Sequence, residues 1–182
     1  EDLAAMARAG VASLKLEGRM KPAAYVWAVT SAYRAALDAL ARGEEGVSPA
    51  VRRTLKRSFN RGLTDAYLRG VSDNELMSYE RSGNRGELVG VLERFEPEPG
   101  FEPRDGQQMR GTVVLRLDAP VDAGDSLELR PVDDPERFMV VTAPGPCKAG
   151  GELRCHVRRP MPRGAEVRLK RSMALLDASA RA

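Results

Sequence analysis

The hydrophobic pattern of this chain changes period twice, and each change marks an expected element. Residues 11–16 form a mostly apolar run, and charged residues stand at alternate positions over 15–21, which together predict a short strand. Apolar residues then recur three and four positions apart, which predicts a helix over 22–41 that ends at Gly43 as a left-handed cap. Ser48 and Pro49 have the residue types of an N-cap and a first helical position, so a second, short helix is expected from there.

From Glu87 onward the period of the pattern falls to two, which is the period of strands. Glycine or proline separates the segments, whose short length and even spacing predict a small antiparallel β-barrel. The loop over 96–108 contains three prolines and four acids, and we expect it to be a mobile segment or an exposed hairpin tip. The six expected strands are 88–92, 112–117, 126–130, 138–142, 153–157 and 166–169.

These patterns predict an α+β fold with two parts and a tail. Residues 1–82 form a helical segment with one βα unit, residues 83–175 form the barrel, and residues 176–182 form the tail. A βα unit normally repeats to build a parallel sheet with both faces covered, yet no second unit follows here. We therefore expect the rest of a parallel sheet to lie outside this chain, as it would in a cut protein.

Composition and charge narrow the class of protein. No run approaches the roughly 20 apolar residues that span a bilayer, and no signal peptide opens the chain, so we expect a cytoplasmic protein with no membrane partner. Residues 1–82 carry net charge +3, residues 83–150 carry −5 and residues 151–182 carry +5. Charge compensation between neighbouring strands is the favoured explanation of this distribution, and a phosphate-facing patch is the alternative.

The second helix concentrates positive charge. Its apolar residues Val51, Leu55 and Phe59 leave the other faces to basic residues, and no acid interrupts them. Such a face is either an ordinary solvated surface or a contact for a polyanion. The basic residues are Arg52, Arg53, Lys56, Arg57 and Arg61.

Candidate catalytic chemistry is sparse. His156 is the only histidine, so the chain holds no metal site built on paired histidines, and we expect no metal. It adjoins Cys155 in a strand pattern, and adjacent strand residues point to opposite faces, so both are expected to be structural. Cys147 stands eight positions before Cys155, where a disulfide is geometrically allowed, although free thiols are usual in a cytoplasmic protein.

Three sequence blocks carry a family resemblance. They are SLKLEGRMKPAAYVWAVTSAYRAALDAL from Ser13, SFNRGLTDAYLRG from Ser58 and GNRGELVGVL from Gly83. In order and spacing they resemble the end of the catalytic barrel in the peptidase U32 family, the collagenase-like proteases. The expected barrel resembles the second domain of translation elongation factors, in part because turn glycines Gly124 and Gly164 stand just before strands.

The resemblance implies what surrounds this chain. The helical segment would be the remnant of a βα barrel end, and the main partner would be the N-terminal catalytic barrel of the same protein. The family is described as peptidases, while other members resemble RNA- or quinone-hydroxylating proteins that use an iron–sulfur centre. A cluster would lie in that preceding barrel, and none is expected in this fragment.

Site candidates follow from this placement. In a parallel βα barrel the ends of strands and the following loops line the active site. Glu17 and Arg19 are therefore the catalytic candidates, as a proton acceptor and an anion clamp, in an incomplete site. The alternative is an ion pair between Glu17 and Arg19 that only fixes the turn around Gly18. The substrate-binding candidates are Lys15, Lys21, Arg52, Arg53, Lys56, Arg57, Asn60 and Arg61.

Two functions remain open at this point. The first is the accessory, substrate-positioning portion of a U32-family peptidase, with a protein or peptide substrate. The second is part of an RNA-modifying enzyme of the same family, acting in tRNA or rRNA hydroxylation, in which this fragment binds RNA. In either case the parent protein is expected to be an enzyme, and the isolated chain is expected to be inactive.

Overall fold

The computed structural model describes residues 2–44, 46–63, 70 and 83–182. The chain divides into two compact units, which we call the helical unit (Glu1–Asn84 with Ala174–Ala182) and the sheet unit (Arg85–Met173). The helices are α1 Leu3–Arg8, α2 Ala23–Ala41, α3 Pro49–Arg57 and α4 Met173–Ala180. The strands are β1 Glu87–Pro97, β2 Gly111–Leu117, β3 Ser126–Arg130, β4 Met139–Thr142, β5 Glu152–Val157 and β6 Glu166–Arg171.

Helix α2 confirms the helix expected over 22–41. Its buried stripe consists of small residues at helical spacing, which are Ala28, Ala32, Ala36 and Ala39. The helix ends as predicted, because Gly43 takes a left-handed backbone with φ of 78°. The amide of Gly43 donates to the carbonyl of Leu40 at 2.9 Å, and the amide of Glu44 donates to the carbonyl of Ala39 at 3.0 Å. This pair of bonds satisfies carbonyls that the helix end would otherwise leave open.

Helix α3 begins as the sequence predicts. The side chain of Ser48 accepts a hydrogen bond from the amide of Val51 at 3.3 Å, and Pro49 occupies the first helical position. The helix ends at Arg57, so Phe59 lies just beyond it rather than on its apolar face. Ser58 is extended at the C-cap, and this change of backbone direction sets the position of Phe59.

The prediction of a strand over 11–16 is wrong. Residues 11–18 form neither strand nor helix, and Val11 is 48% exposed. A strand needs a neighbouring ladder, and no such partner exists for this segment among the described residues. Two short helices, α1 and α4, were not predicted, and α4 covers most of what the sequence presented as a tail.

The sheet unit confirms the α+β class and all six expected strands. The strands form one antiparallel, curled sheet, a half-barrel, in the order β4-β3-β6-β1-β2-β5. Strand β1 lies inside the sheet, and its register shifts between Leu92 and Arg94 against β2 and between Leu88 and Gly90 against β6. Such bulges bend a strand, which suits a sheet that curls. The 96–108 segment belongs to the hairpin that joins β1 to β2.

The hydrophobic core of the sheet unit is formed by buried residues between 89 and 169. Its larger members are fully buried leucines and valines from four strands, including Leu92, Leu115, Leu127 and Leu169. The carboxylate of Asp125 is also fully buried and accepts hydrogen bonds from the amides of Asp122 at 3.0 Å and Met173 at 2.8 Å. These bonds provide the polar partners that a buried carboxylate needs.

Two further expectations concern the fold as a whole. The likeness to the second domain of elongation factors stays a prediction, since the sheet alone does not test it. Within the described part of the chain, every helix is too short or too polar to cross a bilayer.

Candidate nucleic-acid interface

A tight turn over 18–21 organises the first group of candidate residues. The carbonyl of Gly18 accepts a hydrogen bond from the amide of Lys21 at 3.0 Å. Ahead of the turn, the ammonium of Lys15 lies 3.0 Å from the carboxylate of Glu17, and both side chains are largely exposed. The ion pair of Glu17 is thus with Lys15, two positions earlier, rather than the pair with Arg19 that the sequence left open as the alternative.

Lys21 connects this turn to the end of α3. Its Nζ atom lies 3.4 Å from the centroid of the Phe59 ring and 5.9 Å from that of Tyr25. The guanidinium of Arg61 lies 5.9 Å from the same Phe59 ring. Cations over an aromatic face are attracted by its electron density, so these contacts hold the positive charges together. We call Lys21, Tyr25, Phe59 and Arg61 the basic–aromatic cluster.

Helix α3 adds four more cations, Arg52, Arg53, Lys56 and Arg57, which we call the α3 basic residues. At the helical rotation per residue, these positions lie within an arc of about 140°. Arg52 and Lys56 are exposed, whereas Arg53 and Arg57 are half-buried. Val51 and Leu55 are also half-buried and lie on the other side of the helix, so the basic face is separate from the packed face.

Asn60 makes several hydrogen bonds within the chain. Its side-chain amide donates to the carbonyl of Lys56 at 2.8 Å and to that of Ser58 at 3.1 Å. Its side-chain oxygen accepts from the amide of Gly62 at 3.3 Å, and its backbone amide donates to the side chain of Asn84 at 3.0 Å. Asn60 therefore fixes the chain after α3 and orients Phe59 and Arg61, while its contact with a substrate stays a prediction.

The arrangement is suited to binding a polyanion rather than to bond cleavage. Lys21 and Arg61 meet at one ring directly after a helix that presents four more cations, and polyanions are bound by such concentrations of Lys and Arg. Sequence reasoning found every cation here. It missed that the turn and the helix converge, because the contact between Lys21 and Phe59 depends on how α3 packs against α2.

The catalytic assignment of Glu17 and Arg19 stays a prediction. Both side chains are exposed on the turn segment, and the Glu17 carboxylate is paired with Lys15. In the described ranges, no three His, Cys, Asp or Glu side chains lie close enough to hold a metal ion.

The two cysteines do not fit an iron–sulfur cluster, which requires several thiolates around one site. Cys155 is buried in the sheet core, where burial raises the pKa of its thiol to about 11. Cys147 is half-buried in another segment, and both thiols are free. His156 is exposed on the opposite face of β5 from Cys155, as predicted. An iron–sulfur cluster stays a prediction for the preceding barrel alone.

Comparison with known families identifies the segment that carries this interface. Residues 1–78 match the family model described as Peptidase family U32. This segment is similar to peptidase family U32. The match includes the turn, α2, α3 and the whole basic–aromatic cluster, and it confirms the family resemblance carried by the first two sequence blocks.

A curated relative gives a second comparison. The protein called tRNA hydroxylation protein P from Escherichia coli (strain K12) is 28% identical over 127 residues, which cover 68% of this chain and 25% of that protein. The match thus spans about a quarter of the length of the curated relative. No solved structure matches this chain significantly.

Proposed function

We propose that this chain supplies an RNA-binding surface to a tRNA-modifying protein of peptidase family U32. The chemistry itself would belong to a catalytic barrel outside these residues, with its iron–sulfur centre. The observation that carries the proposal is the convergence of Lys21 and Arg61 on Phe59 beside the α3 basic residues. The name of the curated relative supports tRNA as the class of RNA.

The strength of such a surface is expected to depend steeply on salt. Each phosphate that a basic side chain neutralises releases condensed counterions, so affinity falls as salt concentration rises. The α3 basic residues supply up to four such contacts. The exposed Arg52 and Lys56 reach outward most easily, and Arg53 and Arg57 lie on the adjacent part of the face.

The test is a titration of a labelled transfer RNA at several salt concentrations. Replacing all four α3 basic residues with Gln is expected to flatten the plot of log affinity against log salt by about two to four units. Glutamine keeps the helical preference of the segment, so circular dichroism should confirm that α3 is retained. A matched control replaces four exposed cations elsewhere with Gln, namely Arg104, Arg137, Lys148 and Arg181.

The outcomes separate RNA binding from an ordinary solvated face. The control variant should keep the slope of the wild type, because its cations are scattered rather than gathered on one helix. No binding by the wild type at low salt, or an equal slope in the α3 variant, would contradict the proposal.

The second candidate is a protein or peptide substrate, which the description of the matched family favours. In that case the same surface would position an acidic polypeptide for a peptidase. Competition in the same titration separates the RNA substrate from the polypeptide substrate. An acidic polypeptide such as polyglutamate, added at equal charge concentration, would displace the RNA only if the surface recognises charge and not RNA structure.

A further inference from the structure

The turn over 18–21 contains one residue in an unfavourable backbone conformation. Met20 has φ of 64°, and it is the only residue other than glycine with a positive φ among the residues that the structure describes. The bond from the Lys21 amide to the Gly18 carbonyl makes Met20 the third residue of a four-residue turn. With positive φ, that position usually holds glycine or asparagine, because a side chain there meets the following carbonyl.

The side chain of Met20 is also almost fully exposed, at 94%. A large apolar side chain therefore occupies a strained position without contributing to the packing of this unit. Strain of this kind tends to persist where it serves a binding site. The position of the turn, at the basic–aromatic cluster, makes that cluster the relevant site.

The surroundings of Met20 indicate which ligand it would meet. Its neighbours in the chain are Arg19, which is exposed, and Lys21, which lies over Phe59. One face of the Phe59 ring is thus already occupied by an ammonium, and the hydroxyl of Tyr25 lies 3.5 Å from the Glu17 carbonyl. Met20 is the exposed apolar group of the turn, between two cations.

We propose that Met20 is a base-contact residue, whose thioether side chain packs against an unpaired nucleobase of RNA. The neighbouring cations would hold the phosphates on either side of that nucleotide. Methionine is flexible and polarizable, and it is among the apolar residues that wedge against bases. Proteins that recognise RNA commonly contact bases that are free of pairing. This inference rests on the proposed function, and it adds which feature of RNA the surface prefers.

The test compares a short single-stranded RNA with its own duplex, using wild type, Met20→Gly and Met20→Leu. Met20→Gly is expected to weaken binding of the single strand by about fivefold or more, at the lower end of what base stacking contributes. It should leave the duplex affinity and the salt slope unchanged, because it removes no charge. The same variant should melt a few degrees higher, since glycine adopts this φ without strain. Met20→Leu should bind the single strand like the wild type.

Val132→Ser is the matched control, because Val132 is an exposed apolar residue of the sheet unit, at 68%. It should not change binding of the single strand. An unchanged single-strand affinity in Met20→Gly, together with the higher melting temperature, would overturn the inference and leave the proposed function standing. An equal loss in Val132→Ser would also overturn it. If the wild type binds no RNA, or the α3 variant keeps its salt slope, the proposed function fails and this inference fails with it.

Discussion

At the scale of single residues, the sequence revealed charges but not their partners. The α3 basic residues were predictable because they are nearly consecutive and helical geometry places them on one face. The contact between Lys21 and Phe59 was not, since the two residues are far apart in sequence and meet only through tertiary packing. The positive φ of Met20 was equally hidden, because methionine carries no signal for that conformation.

Glu128 illustrates the same limit in the sheet unit. This carboxylate is buried on β3 and lies 2.8 Å from Arg130 and 3.2 Å from Lys170. Burial by itself raises the pKa of a carboxyl group, but here the hydrogen bond from Arg130 and the charge of Lys170 outweigh it, so the pKa is lowered. The charged form is therefore the one that the folded state prefers.

Glu128→Gln is expected to lower the free energy of unfolding by about 2 kcal/mol at neutral pH, because two cations lose a charged partner. A carboxyl group whose pKa is lower in the folded than in the unfolded state stabilises the folded protein at pH values above its unfolded pKa. This stabilisation is lost as the pH falls through the folded pKa. The difference between variant and wild type should thus shrink in acid. Urea unfolding at neutral pH and at about pH 3 measures this difference in the free energy of unfolding. Exposed Glu102→Gln is the control, and a difference that grows in acid would contradict the argument.

At the scale of elements, alternation and turn residues predicted the sheet well. Glycine or proline stood between consecutive expected strands, and each strand found a neighbour with which to pair. The apolar run over 11–16 also predicted a strand, yet none forms there, because an apolar run by itself does not provide a ladder. Helix α1 was overlooked although LAAMAR is rich in strong helix formers.

Gly90 lies where strand β1 approaches β2 closely. A Cβ atom added to Gly90 would lie 2.1 Å from the backbone carbonyl oxygen of Arg116 on β2, closer than any real contact. Gly90→Ala would therefore force β1 and β2 apart in the interior of the sheet, and we expect a loss of about 3 kcal/mol in the free energy of unfolding.

Gly145→Ala is the matched control for that substitution, because nothing lies within 4 Å of the added atom. It should leave stability nearly unchanged. Thermal and urea unfolding of both variants checks the pair. Equal stability of Gly90→Ala and wild type would show that β1 does not approach β2 as closely as described.

At the scale of the whole molecule, the chain contains two units with separate sources of stability. The helical unit buries an alanine stripe on α2, and the sheet unit buries its own cluster of leucines and valines between residues 89 and 169. The division from sequence, at residue 83, stays a prediction, and the two compact units divide at Arg85 and again after Met173. A unit that contains its entire core should be able to fold alone.

The last prediction follows from this organisation. A chain of residues 85–173 should unfold cooperatively in urea, because the core and both hydrogen bonds to Asp125 lie within it. It should also bind the labelled transfer RNA more weakly than the full chain, since the basic–aromatic cluster and the α3 basic residues lie outside it. Gly90→Ala in the same short chain is the control for cooperativity, as it should lower the midpoint. Gradual unfolding of residues 85–173 would contradict the independence of the sheet unit, and undiminished RNA binding by a cooperatively folded sheet unit would move the interface away from α3.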